Sequence, residues 1–189
     1  MSALDQITDF INDTLGAAVV VGGTSYHGIT RLVVRDGKTA PVCQNQGQAR
    51  QIVPERGKPL QIYHRIEGEI QLQDTDGEGF GVGVEQRLTY QHSLFGLGIR
   101  KEITTDPVMD TWNLGLFIAN ALSEGTSEGF PVASSIRRVF LSDFSIESND
   151  RRVLTSELAG NDIQQDQLDV MAFRIRFTVT ADVCGDLCT

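Results

Sequence analysis

The chain has 189 residues and a mass of 20.7 kDa, with 40% hydrophobic and 22% charged residues; this is the balance of one globular domain and excludes disorder and fibrous repeats. Sixteen basic residues against 25 acidic ones give a net charge of −9, which argues against non-specific nucleic-acid binding, because Lys and Arg must replace the counterions on phosphate. No stretch approaches the roughly 20 apolar residues of a membrane span.

Leu4, Ile7, Phe10, Ile11 and Leu15 recur at spacings of three and four, which predicts an amphipathic helix capped by Ser2, with Asp5 in its first turn and Gly16 at its end. Residues 17–21 form a short β-branched run before Gly22-Gly23, and 29–35 reads as a strand closed by an Asp36-Gly37 turn. The polar segment 41–57, centred on Gln46, reads as an extended loop. Residues 60–73 alternate as a long strand in which Leu60, Ile62, His64 and Ile66 share a side and Gly68 marks a bulge. A glycine-rich acidic segment at 74–83 and a second β stretch over 84–99 complete an antiparallel hairpin with an acidic tip.

Pro107 and Asp110 announce a second helix, with Leu114, Phe117, Ile118, Ala121 and Leu122 on its apolar face and Gly125 as its stop. Strand sequence returns over 136–146, Asn149-Asp150 reads as a turn, and 153–158 as a short strand followed by a polar connection over 159–169. In the last segment Met171, Phe173, Ile175, Phe177, Val179, Ala181 and Val183 alternate with Arg174, Arg176, Thr178, Thr180 and Asp182. That alternation predicts a strand buried on one face only. Together these elements predict a single α+β domain over 1–189: a mainly antiparallel twisted sheet with a long hairpin, packed by an N-terminal and a central helix.

Cys43, Cys184 and Cys188 are odd in number and follow no secretory leader pattern, which points to a reduced, intracellular protein. Neither these cysteines nor the scattered His27, His64 and His92 have metal-ligand spacing, so no metal or cofactor is expected. Gly125-Thr126-Ser127-Glu128-Gly129 matches the G-x-S-x-G pattern, but a helix precedes it and an extended segment follows, inverting the strand–serine–helix order that exposes a nucleophile. Asp74-x-Asp76-Gly77 is faintly like a calcium loop, with its glycine two places early and no flanking helices. Asn12-Asp13-Thr14 fits the glycosylation consensus but lies inside the first helix.

The order of elements resembles the tail-terminator (tail-completion) proteins of long-tailed bacteriophages. The resemblance rests on the amphipathic opening helix 4–15, the proline-led strand Lys58-Pro59-Leu60-Gln61-Ile62-Tyr63, the hairpin, the aspartate-led helix 110–122 and the closing strand Phe173-Arg174-Ile175-Arg176-Phe177-Thr178-Val179. It spans most of the chain as pattern and order, with extra length in 41–57 and 74–83. It implies a structural virion protein without enzymatic activity: a homo-oligomeric, six-fold ring that caps the tail tube, meets the head connector and lets DNA pass unbound. Tail-tube or head–tail connector protein is the neighbouring reading, and a small serine hydrolase using Ser127 or a monomeric binding module are the readings from other classes. In a ring, Gln46, Asp74, Asp76, Glu78 and Phe80 in the long segments are the expected contact residues, with Arg174 and Arg176 on the last strand beside them.

Overall fold

The computed structural model describes residues 3–18, 24–45, 48–74, 85–103, 110–124, 136–161 and 169–184. The first helix, α1, is Ala3–Ala18, running two residues past Gly16. Ile7, Ile11 and Leu15 of its predicted stripe are buried, and Leu4 and Phe10 pack against the same core. Ser2 lies outside the described residues, as do 19–23.

The strand expected over 29–35 is two strands, β1 (Thr24–Ile29) and β2 (Arg31–Arg35). Thr30 separates them: its backbone N–H and its hydroxyl both donate to the His64 carbonyl, each at 2.7 Å. Beyond that anchor the chain leaves one sheet and enters another. Asp36 and Gly37, both at positive φ (52° and 75°), make the expected two-residue turn. The turn folds β3 (Lys38–Asn45) back on β2, and β4 (Gln48–Gln51) adds to β3. The loop predicted for 41–57 is therefore largely a small three-stranded sheet. Its polar composition misled because Ala49, Arg50 and Gln51 are exposed while Ala40, Pro41, Cys43 and Ile52 are buried. Gln46 lies outside the described residues.

The long hairpin is present as β5 (Leu60–Asp74) and β6 (Glu85–Ile99), paired antiparallel. Gly68, at φ 79°, lies where the register shifts between Glu67 and Gln71, so the expected bulge is there. Its tip, 75–84, lies outside the described residues. A one-turn α2 (Arg100–Ile103) precedes α3 (Thr111–Glu124), whose first turn is capped by Asp110 accepting from the Asn113 N–H at 2.7 Å. Leu114, Ile118 and Leu122 are buried as expected, but Phe117 is 52% exposed. The helix turns its small residues inward instead: Gly115 and Ala119 are buried, and a Cβ on Gly115 would sit 3.0 Å from Ile146.

Strand β7 (Ile136–Glu147) leads into α4 (Asp150–Glu157), where a short strand was expected over 153–158. Asn149 is the helix cap, its side chain accepting from the Arg152 N–H at 3.1 Å. Val153, Leu154, Glu157 and Leu158 are buried at helical spacing, which outweighs the β-branched look of the segment. The final strand, β8 (Val170–Cys184), buries all seven alternating apolar residues from Met171 to Val183.

The five-stranded sheet has the order β1-β5-β6-β8-β7, antiparallel throughout except for the parallel β1–β5 pair. The fold is α+β. Helices α1 and α3 cover one face over Ile62, Leu94, Phe173, Ile175 and Phe177. On the other face α4 packs with Tyr63, Phe95, Leu97 and Ala172, and Tyr26, Cys43 and Ile52 complete that second core. No helix among the described residues is long and apolar enough to cross a membrane.

Candidate functional site

Past α4, the second face of the sheet becomes polar, and there the predicted arginines sit. Register puts Tyr63, Phe95, Arg174 and Glu147 in one row across β5, β6, β8 and β7, with Arg65, Ser93, Arg176 and Ser145 in the next. Arg174, 12% exposed, donates through Nε to Glu147 Oε2 at 2.9 Å and lies 3.4 Å from Glu67 Oε1. Arg176, 42% exposed, places Nε 3.2 Å from Glu67 Oε2. Arg152 from α4 approaches Glu147 at 3.0 Å. Arg65 donates to both oxygens of the fully buried Glu157, at 2.9 and 2.8 Å, with its guanidinium 4.4 Å above the Phe95 ring.

Burial works to raise the Glu67 carboxyl pKa, but the Ser93 hydroxyl and the guanidinium groups of Arg174, Arg176 and Arg65 outweigh it and hold it below the ordinary carboxylate range. Tyr63, buried, stacked 5.0 Å from Phe95 and donating to Glu157 at 3.2 Å, has its hydroxyl pushed far up by burial and by that carboxylate. A shallow pocket of about 300 Å³ opens beside Glu147, Arg152, Arg174 and Arg176. Four guanidinium groups facing three carboxylates leave the cluster with one net positive charge on a chain of net charge −9. Such a lattice fixes α4 and β7 to the sheet.

A second polar cluster crosses the helix-covered face. His64 donates through Nε2 to Asn12 Oδ1 (2.8 Å) and meets His92 Nε2 through Nδ1 at 3.0 Å. Because Asn12 Oδ1 only accepts, His64 carries its proton on Nε2, and its Nδ1 lone pair takes the His92 Nε2–H. Ser25 also donates to Asn12 Oδ1. Burial depresses the His64 pKa to about 3, with a smaller push from His27, and holds His92 well below its ordinary value, with a smaller push from His64. His27, on β1, pairs with Asp9 of α1 at 2.6 Å; Tyr90 is buried on β6, and β8 contributes only the stacked Phe177 ring.

Of the sequence-predicted contact residues, Arg174 and Arg176 are together. Asp74 is exposed at the far end of β5, where it accepts from Gln86 at 3.2 Å. Gln46, Asp76, Glu78 and Phe80 lie outside the described residues, as does Ser127. Sequence reasoning did not find Arg65, Glu67, Glu147 and Glu157. The first two were within reach, because the alternation that sends His64 and Ile66 inward sends Arg65 and Glu67 to the other face. Glu157 was hidden by the reading of its helix as a strand. Asn12, in the dismissed glycosylation consensus, is 6% exposed and serves the histidines. Cys43 is a free, buried thiol whose pKa burial raises. Among the described residues no three His, Cys, Asp or Glu side chains gather as metal ligands. None of the family models and none of the curated proteins compared with this chain matches it.

Proposed function

We propose that this chain is a structural virion protein that forms a homo-oligomeric ring capping a bacteriophage tail tube and joining it to the head connector. The observation that carries the reading is the amount of apolar surface left on secondary structure: Leu32, Val33 and Val34 on β2, Trp112, Leu116 and Phe117 on α3, and Ile70 and Leu72 on β5 are all exposed. Surface of this kind on regular elements suits a subunit designed to be covered by neighbours. The order of elements supports it: an amphipathic opening helix, a proline-led strand and hairpin, an aspartate-capped helix and a long closing strand. The six-fold number follows from the family resemblance, and the net charge of −9 suits a bore through which DNA passes without sticking.

The ring is a virion component assembled in the host, with copies of itself, tail-tube protein and connector protein as partners, and its work needs no cofactor or bond-making step. The test is electron microscopy of the purified protein mixed with isolated tail tubes. A six-fold ring seated at one tube end is the expected result. Decoration along the whole tube would reassign it as a tube protein, binding only to connectors would reassign it to the neck, and no association with either would overturn the virion reading.

A further inference from the structure

Among the described residues two strand edges are open, and they are complementary. β2 pairs, among the described residues, with β3 only, and all five of its residues are exposed. Its register shows which groups face outward. Asp36-Gly37 closes a two-residue turn, so Arg35 and Lys38 exchange hydrogen bonds, as do Val33 with Ala40 and Arg31 with Val42. Leu32 then lies opposite Pro41, which has no N–H to offer. The backbone N–H and C=O of Leu32 and Val34 therefore point away from β3, toward the open side. The second edge belongs to β5. β1 pairs with it only between Gln61 and His64, so among the described residues nothing pairs with the far half on that side, and residues 68–74 are exposed.

The side chains on the two edges match. β2 reads Arg31-Leu32-Val33-Val34-Arg35, apolar in the middle and basic at both ends. The far half of β5 reads Glu69-Ile70-Gln71-Leu72-Gln73-Asp74, with apolar residues two apart between acidic ends. Setting Leu32 and Val34 against Ile70 and Leu72, in either strand direction, brings an arginine opposite Glu69 and the other arginine beside Asp74. Two copies of β2 paired antiparallel would instead put Arg31 against Arg35, which like charge disfavours.

We infer that β2 of one copy adds as a strand to the far half of β5 of the next, a head-to-tail contact between unlike edges. Main-chain hydrogen bonds supply the affinity, and the arginine–acid ends set the partner and exclude the self-paired alternative. A contact of this kind closes into a ring when its rotation permits. The inference rests on the ring reading and adds to it the surfaces that meet.

Two variants test it, each blocking one edge. Val34→Pro removes an outward N–H without touching the β2–β3 ladder; Glu69→Lys with Leu72→Lys spoils the β5 edge. Analytical ultracentrifugation and microscopy on tail tubes read assembly, and circular dichroism confirms folding; if Val34→Pro misfolds, Arg31→Glu with Arg35→Glu replaces it. Each variant alone is expected to need at least about tenfold more protein to assemble, the equivalent of losing one or two good strand contacts. Mixed one to one, the two variants are expected to give dimers that go no further, since one intact edge of each kind remains. Wild-type-sized rings from both single variants at wild-type concentration would overturn the pairing and leave the ring reading standing. A wild-type chain that stays monomeric both in solution and on tubes would overturn the ring reading itself.

Discussion

Acid should unfold this protein through its buried histidines before its carboxylates begin to titrate. His64 and His92 are fully buried, and burial holds both neutral in the folded state, with the His64 pKa pushed down to about 3 and that of His92 well below its ordinary value. In the unfolded chain both titrate near 6.5. The unfolded state thus binds more protons than the native state below that value. Stability is fully present above pH 6.5 and falls with pH, by about 1.4 kcal/mol per unit for each histidine. While both stay neutral in the folded state the slope is about 3 kcal/mol per unit, and His64 alone accounts for a loss of about 2.5 kcal/mol between pH 6.5 and 4.5. For a domain whose whole stability is about 5–15 kcal/mol that is about a sixth or more, and His92 adds to the loss in the same direction. Glu67, whose carboxyl is held low, adds to the loss only nearer pH 4.5 and below. Urea unfolding followed by circular dichroism at half-unit steps from pH 7.5 to 5 reads the slope where the histidines act alone. His92→Gln keeps an N–H for His64 and should about halve it. A flat stability across that range, or an unchanged slope in His92→Gln, would refute the reasoning.

Gly96 lies against the Phe173 ring, where an added Cβ would come within 2.1 Å. Gly96→Ala should destabilise by about 3 kcal/mol, as overpacking of a buried ring does, lowering the urea midpoint with little change in its slope. Glu157→Gln leaves Arg65, 17% exposed, without its buried charge partner. The expected cost is about 3 kcal/mol, read from chemical unfolding, and a double variant with Arg65→Met should recover part of it. With a net charge of −9, retention on duplex DNA should remain weak even at low salt; tight binding in a filter or gel assay there would remove the case for an acidic, non-adhesive bore.

Most of the elements could be read from the chain before any contact was known, because each is set by the spacing of its own residues. The stripe from Leu4 to Leu15 meets one core only as a helix, and seven inward residues on β8 meet it only as a strand. The hairpin of β5 and β6 and the bulge at Gly68 were local matters of the same kind. The failures were also physical. The polar segment around β3 and β4 became a sheet because β2 offered it a partner, and 153–158 became helical because Asn149 caps it and a half-covered sheet face receives Val153 and Leu154.

What tertiary structure alone decided is who meets whom across long separations. Arg65 and Glu157 are 92 residues apart, Arg174 and Glu67 107, and His64 reaches Asn12 across 52. The sequence determined, for most elements, which residues face in and which face out, with Phe117, predicted inward and found exposed, as an exception. It left the partners undetermined, because a strand's period says nothing of the strand beside it. Register, the parallel placing of β1 and the choice of face for α4 turned one-sided alternations into an arginine–glutamate lattice and a buried histidine pair.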